Sequence, residues 1–297
     1  MFARIARSWS IFKNSLSVLR CNKKLIVFPL LTSGFVIMLA LLIFSGVFAA
    51  MLADPQFGAK LSRMGDSSQN AHYALQTWHV VVMFAAYFVS IFLATFFNVA
   101  FYSEIIHGLN SEPVFLMRGF KFAFSKCGSI AMWALLGATV GMILKLLEER
   151  FGWLGQWVIR LIGLAWNVVT VFAVPVIICE EDSFNPIKNL KKSASVIRTT
   201  WGESLIGFLG ISALNGLLII PTLLLTVVLA VASGVYLSVI LAAIIAILGI
   251  VAIVCISMLL GVAQKIYIAS LYLYATTGFL NEVYDEEQMQ NPWKVKR

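Results

Sequence analysis

The sequence predicts an all-α, polytopic membrane bundle of six transmembrane helices with three basic amphipathic interfacial helices. Three observations carry this. Hydrophobic residues make up 60% of the 297 and charged residues 12%, with a mean hydropathy of +0.91. A soluble domain averages about 45–50% apolar and about 25% charged, so too little polar surface remains to cover a globule in water, and lipid is the fitting solvent. The apolar residues come in continuous runs, not in the period-two alternation of a membrane β-barrel. Between the runs, Lys and Arg collect on amphipathic stretches that fall on one side of the predicted membrane.

The whole chain, 1–297, reads as one integral membrane domain. Residues 2–20 form the first interfacial helix: Ile5, Trp9, Phe12, Leu16 and Leu19 make an apolar stripe opposite Arg4, Arg7, Lys13 and Arg20. A basic start before an apolar run is also the pattern of a signal peptide. The run that follows is too long for one and lacks a small-residue cleavage site, so it is expected to be retained. A span needs about 20 apolar residues. The first covers 25–53 and is long enough to tilt or project. The second covers 78–103, with Trp78 as an interfacial anchor. Pro113 opens the second interfacial helix, 113–128, in which Leu116, Phe120, Ala123, Phe124 and Cys127 share a face. Spans three and four are 129–147 and 153–179.

The stretch "PVIICEEDSFNPIKNLKKSASVIRTTWGE" interrupts the apolar pattern. Pro186 suits a first helical position, Asn185 or Ser183 suits the cap, and Glu180, Glu181 and Asp182 lie close to the positive end of the helix dipole. Ile187, Leu190, Ala194, Ile197 and Trp201 recur in steps of three and four, with Lys188, Lys191, Lys192, Ser195, Arg198 and Thr199 on the other faces. This third helix, 186–201, is expected to lie in the membrane surface with its basic side near lipid phosphates, or to pack on protein. Span five is 205–232. Residues 236–275 are almost unbroken apolar, either one long helix passing the bilayer edge or a doubled span.

With both termini in the cytoplasm, sixteen Lys and Arg fall on the cytoplasmic side and five on the other, counting flanking residues. The chain divides into three units, each an interfacial basic helix followed by a transmembrane hairpin, an architectural repeat with faint residue identity. The cysteines Cys21, Cys127, Cys179 and Cys255 show no paired spacing.

Ordered stretches covering most of the chain carry a resemblance: "RSWSIFKNSLSVLRCNKKLIVFPLL", "FFNVAF", "GATVGMILKLLEERFG", "GLAWNVVTVFAVPVIICEE", "NPIKNLKKSASVIRTTWGESLIGFLG" and "QKIYIASLYLYATTG". They resemble a family of bacterial multi-pass membrane proteins known as domain of unknown function 6159. The resemblance implies an integral membrane protein and supplies no activity.

Candidate chemistry is sparse. His72 and His79 could share a helix face, with Asp66 as a third metal ligand, but two histidines near an aromatic anchor fit an ordinary interface better. Glu104 and His107 have di-iron spacing that no other helix repeats. There is no hydrolase elbow, zinc-protease or phosphate-loop motif, so no enzyme activity and no cofactor are expected. "GATVG", Gly137–Gly141, fits small-residue helix packing. Polar residues at depth say more. Asn98, Asn167, Asn215, Gln264 and Lys265 must face one another or a wet cavity, because an unpaired amide in hydrocarbon costs about 4–8 kcal/mol. Pro175 and Pro221 should kink spans four and five.

The expected function is organisation of lipid or partner proteins at the bacterial inner membrane. Lys188, Lys191, Lys192, Arg198, Arg4, Arg7 and Lys13 would meet anionic lipid, and no nucleic acid is involved. The alternative is a transporter or lipid-handling protein with a polar pocket between spans four, five and six.

Overall fold

The computed structural model describes residues 13–53, 77–151, 153–199, 201–236 and 238–278; side chains 201–215 and several others at helix ends are outside that description. It is helical throughout, without a strand among the described residues. The helices are α1 (Lys13–Cys21), α2 (Val27–Ala53), α3 (Thr77–Leu109), α4 (Leu116–Ser125), α5 (Cys127–Arg150), α6 (Trp153–Val169), α7 (Ala173–Cys179), α8 (Pro186–Thr199), α9 (Trp201–Tyr236) and α10 (Val239–Thr277). Five stretches among the described residues are long and apolar enough to cross a membrane, or six if the bent pair at the start is one span. The chain is a helical membrane protein.

Each short basic helix turns directly into a long apolar one. α1 ends at Cys21, and the chain turns at Asn22, bending by 104° into the first span. The Asn22 backbone N–H closes on the Val18 and Leu19 carbonyls, and its side-chain amide donates to Val18 as well. Lys126 makes the corresponding corner between α4 and α5, its N–H bonded to Phe122 and Ala123. α4 is shorter than the expected 113–128, because residues 110–115 form a turn and an extended segment instead.

The question of the last span is answered by α10, a single helix of 39 residues. At about 1.5 Å per residue it runs about 58 Å, nearly twice a hydrocarbon core of about 30 Å. Ser238 caps it, its hydroxyl accepting from the Leu241 N–H at 3.1 Å. Gly278 ends it at φ 70°, a left-handed turn that side chains disfavour. The two prolines behave differently. Thr170–Phe172 is a turn that divides span four into α6 and α7. It falls where Pro175 lacks an N–H and its ring crowds the carbonyl four residues back. Pro221 sits inside α9 without interrupting it.

The buried core gathers at the basic end of the bundle. Phe28, Ile105, Phe172, Ile177, Tyr267 and Tyr272 are enclosed there, where α3, α7 and the last third of α10 converge. Phe28 stacks on Phe101 at 5.3 Å, and Phe96 meets Phe124 edge-on at 4.9 Å. The other half of the molecule is bare: α9 and the first half of α10 form a hairpin with Ile220, Leu224, Val228, Ile247 and Leu248 exposed. Such a surface is stable only against hydrocarbon. Gly141 lets α5 approach α3, since a methyl there would collide with Tyr87; at Gly137 a methyl would rest in ordinary contact with Ile91 at 3.6 Å. The close packing expected of "GATVG" is therefore seen at Gly141 alone. All four cysteines are free thiols, with Cys21, Cys179 and Cys255 exposed.

Candidate functional site

The basic end is where charged and polar side chains converge, and it is built from three clamps. The first fixes α4 on α3. Glu104, on the last turns of α3, is 0% exposed. Arg118 of α4 reaches it with two donors, Nε to Oε1 at 2.8 Å and Nη2 to Oε2 at 2.9 Å, and the Phe115 backbone N–H adds a third at 2.8 Å. Paired donors in a plane match a carboxylate as no lysine could. Arg118 also donates to the Pro113 carbonyl and lies 3.6 Å from Glu112, and the carboxylate bonds raise its pKa. Glu112 is bonded in turn to His107 Nδ1 at 2.6 Å. The two residues of the Glu-x-x-His spacing thus have separate partners: Glu104 serves Arg118, and His107 serves Glu112. Gly119 makes the approach possible, since a methyl there would sit 2.7 Å from the Ala100 carbonyl oxygen and 2.9 Å from Glu104.

The second clamp joins the α4–α5 corner to the loop before α8. Lys126 Nζ donates to the Glu180 carbonyl at 3.1 Å and to Ser183 Oγ at 3.2 Å, and Ser129 shares a hydrogen bond with the same hydroxyl at 3.0 Å. Asn189 Nδ2 donates to the Ser183 carbonyl at 2.7 Å. Asn185 caps α8, its Oδ1 accepting from Ile187 and Lys188, and Pro186 takes the first helical position as expected.

The third clamp is Ser193. Its hydroxyl donates to the Val169 carbonyl at 2.5 Å and accepts from the Phe172 N–H at 3.2 Å. It thereby supplies partners to backbone groups that the break in span four leaves open. The expected stripe of α8 is met in part: Ile197 is buried and Leu190 and Ala194 are half-buried. Its buried residues are Asn189, Ser193, Val196 and Ile197, whereas Ile187 is exposed. The face points inward by its polar bonds rather than by hydropathy alone, and α8 packs into the bundle beside α7.

The predicted cations divide. Lys188 pairs with Asp182 at 2.7 Å, which raises its pKa, and Lys192 pairs with Glu180 at 3.0 Å. Two of the three acids before α8 are thus partners of its lysines. Lys191 and Arg198 on α8, and Lys121 on α4, are exposed without an ion pair among the described residues. Lys13 is exposed on α1; Arg4 and Arg7 lie outside the described residues. Beside these cations stand bare apolar side chains: Met117 is 79% exposed, Phe124 67%, Phe184 60% and Ile187 56%.

The polar residues at depth separate as well. Lys265 Nζ donates to Asn98 Oδ1 at 2.6 Å and lies 5.0 Å over the Phe101 ring, so it bridges α10 to α3. Gln264 is half-buried beside it on α10. Asn167 is exposed on a groove of about 450 Å³ formed by α3, α5, α6 and α7. That groove lies between spans two, three and four, and is a different place from the pocket of the alternative reading, which would border span five, where side chains 201–215 are outside the description. The Asn215 and His79 side chains, with His72 and Asp66, are outside the described residues. No group of three or more metal-ligating side chains occurs among the described residues.

No curated protein and no solved structure matches the chain. A family of unknown function (DUF6159) matches residues 77–281, which hold every contact of the three clamps. With more than two thirds of its length inside that match, the chain belongs to this family, as its motifs suggest.

Proposed function

We propose that the protein is a non-enzymatic organiser of the bacterial inner membrane, whose basic edge gathers anionic lipid at the cytoplasmic leaflet and presents a rigid platform there to membrane-protein partners. The observation that carries this reading is the outer face of α4 and α8. There Met117, Phe124, Phe184 and Ile187 are bare beside Lys121, Lys191 and Arg198, which form no ion pair among the described residues. Large apolar side chains set among cations suit the boundary between acyl chains and phosphates. Both termini fall in the cytoplasm on the same reading, through the bias of Lys and Arg. The clamps support it: α4 and α8 are each tied to a span, by Arg118 on Glu104 and by Ser193 on Val169, so their outward faces are held in place.

The test uses the full chain reconstituted in vesicles of phosphatidylglycerol and phosphatidylcholine, with energy transfer from the protein's tryptophans to a labelled phosphatidylglycerol. The native protein should enrich phosphatidylglycerol around itself, and the enrichment should shrink in high salt. Each cation near an anionic surface contributes about 1 kcal/mol. The variant Lys121→Glu/Lys191→Glu/Arg198→Glu should therefore lose the preference by about tenfold or more. An unaltered preference in that variant would refute the lipid role.

A further inference from the structure

We propose that the groove between α3, α5 and α6 is a phospholipid site, with the headgroup phosphate at Lys145 and Arg160 and an acyl chain running inward past Gly163. Its mouth lies at the opposite end of the bundle from the basic edge, because α5 leaves the corner at Cys127 and reaches Lys145 about 27 Å further along its axis. The groove has three features that a phospholipid requires in sequence. Its mouth carries Lys145, Arg160 and Glu148. Arg160 lies 3.3 Å from Glu148 and 6.0 Å from the centre of the Trp157 ring. An exposed pair at that distance is weak, so Arg160 is free to exchange Glu148 for a phosphate, which an arginine holds with two donors. Trp157 is exposed beside it, and an exposed tryptophan with a cation marks headgroup depth.

Two turns inward, Asn167 sits on the wall with its side chain exposed. That is the order in which ester carbonyls follow a phosphate into the bilayer. Between them the floor is smooth. Gly163 has no neighbour within 4 Å of where a side chain would begin, and Ile91, Ile159 and Val174 supply apolar walls. A volume near 450 Å³ lies within the range of about 300–1,000 Å³ of small-molecule sites. A groove with apolar side chains along most of its wall, polar groups only at Asn167 and Thr170 further in, and cations only at its mouth, selects an anionic amphiphile over a soluble solute.

The experiment titrates the delipidated full chain in detergent with dioleoylphosphatidylglycerol or with dioleoylglycerol, and counts bound lipid by native mass spectrometry. The native protein should bind one phosphatidylglycerol in a discrete step and no dioleoylglycerol. Gly163→Leu fills the open floor, and Lys145→Gln/Arg160→Gln removes the phosphate donors; each should weaken that step about tenfold or more. The basic-edge variant Lys121→Glu/Lys191→Glu/Arg198→Glu should keep it, which separates this site from the lipid role of the other end. Equal binding by the two groove variants and the native chain, or equal binding of dioleoylglycerol, would overturn the proposal. So would failure of Gly163→Leu to fold, since that would mean the space is not open.

Discussion

Arg118→Ala should destabilise the protein more than any other single truncation at the basic edge. The Glu104 carboxylate is fully enclosed and takes three hydrogen bonds, two of them from Arg118. Removing the arginine leaves a buried charge with only the Phe115 N–H. Breaking one side of a buried pair costs about 3–5 kcal/mol; Arg118 is itself 33% exposed, which favours the lower end. The result expected is a large drop in the unfolding temperature of the detergent-purified chain, together with loss of the α4 contact. Replacing both partners, Glu104→Leu/Arg118→Met, should recover much of the loss, because no orphaned charge then remains. A single variant as stable as the native protein would show that Glu104 finds another partner.

Ser193→Ala should have the second largest effect, out of proportion to the one oxygen removed. That oxygen serves two backbone groups, the Val169 carbonyl and the Phe172 N–H, at a break inside an apolar span. Water is scarce there, and each buried group left without a partner costs about 1–3 kcal/mol. Ser193→Thr keeps the hydroxyl and should restore most of the stability, whereas Ser193→Val, similar in shape to threonine, should not. Hydrogen exchange at Phe172 gives a local readout: its amide should exchange faster in the alanine and valine variants alone.

The spans are legible from composition, because a run of about 20 apolar residues rarely forms anything but a membrane crossing. The start of α8 is equally plain, since Asn185 and Pro186 act through local geometry alone. The clamps are not, because their physics is non-local. Glu104 and Arg118 are fourteen residues apart and meet only once the 110–115 loop folds back. From the sequence, Glu104 and His107 show only an unrepeated Glu-x-x-His spacing, which says nothing of Arg118. α8 misleads for a related reason. A stripe drawn from hydropathy favours Ile187 as buried and leaves Ser193 unremarked, yet the inward face is set by backbone groups on other elements that need Asn189 and Ser193. A signal does exist in Pro175, since a proline in a span announces open carbonyls that something must satisfy. The acids at 180–182 are similarly legible only by their dipole, and two of them neutralise Lys188 and Lys192. That pairing narrows the cations free for lipid on α8 to Lys191 and Arg198. Lys265 looks like a wall residue for a cavity because its length of helix is otherwise apolar. Asn98, on a helix far away in sequence, absorbs it.

The central claim is that α4 and α8 lie on one face of a membrane that the chain crosses repeatedly, with the α5–α6 and α9–α10 turns on the other. Single cysteines placed at Lys121, Lys191, Phe151 and Val239, in a chain whose four native cysteines are replaced by alanine, can be probed with a membrane-impermeant maleimide. In intact cells labelling is expected at 151 and 239 only, with 121 and 191 reacting once the cells are opened. Labelling of 121 and 191 on opposite sides, or of all four positions on the same side, would contradict it.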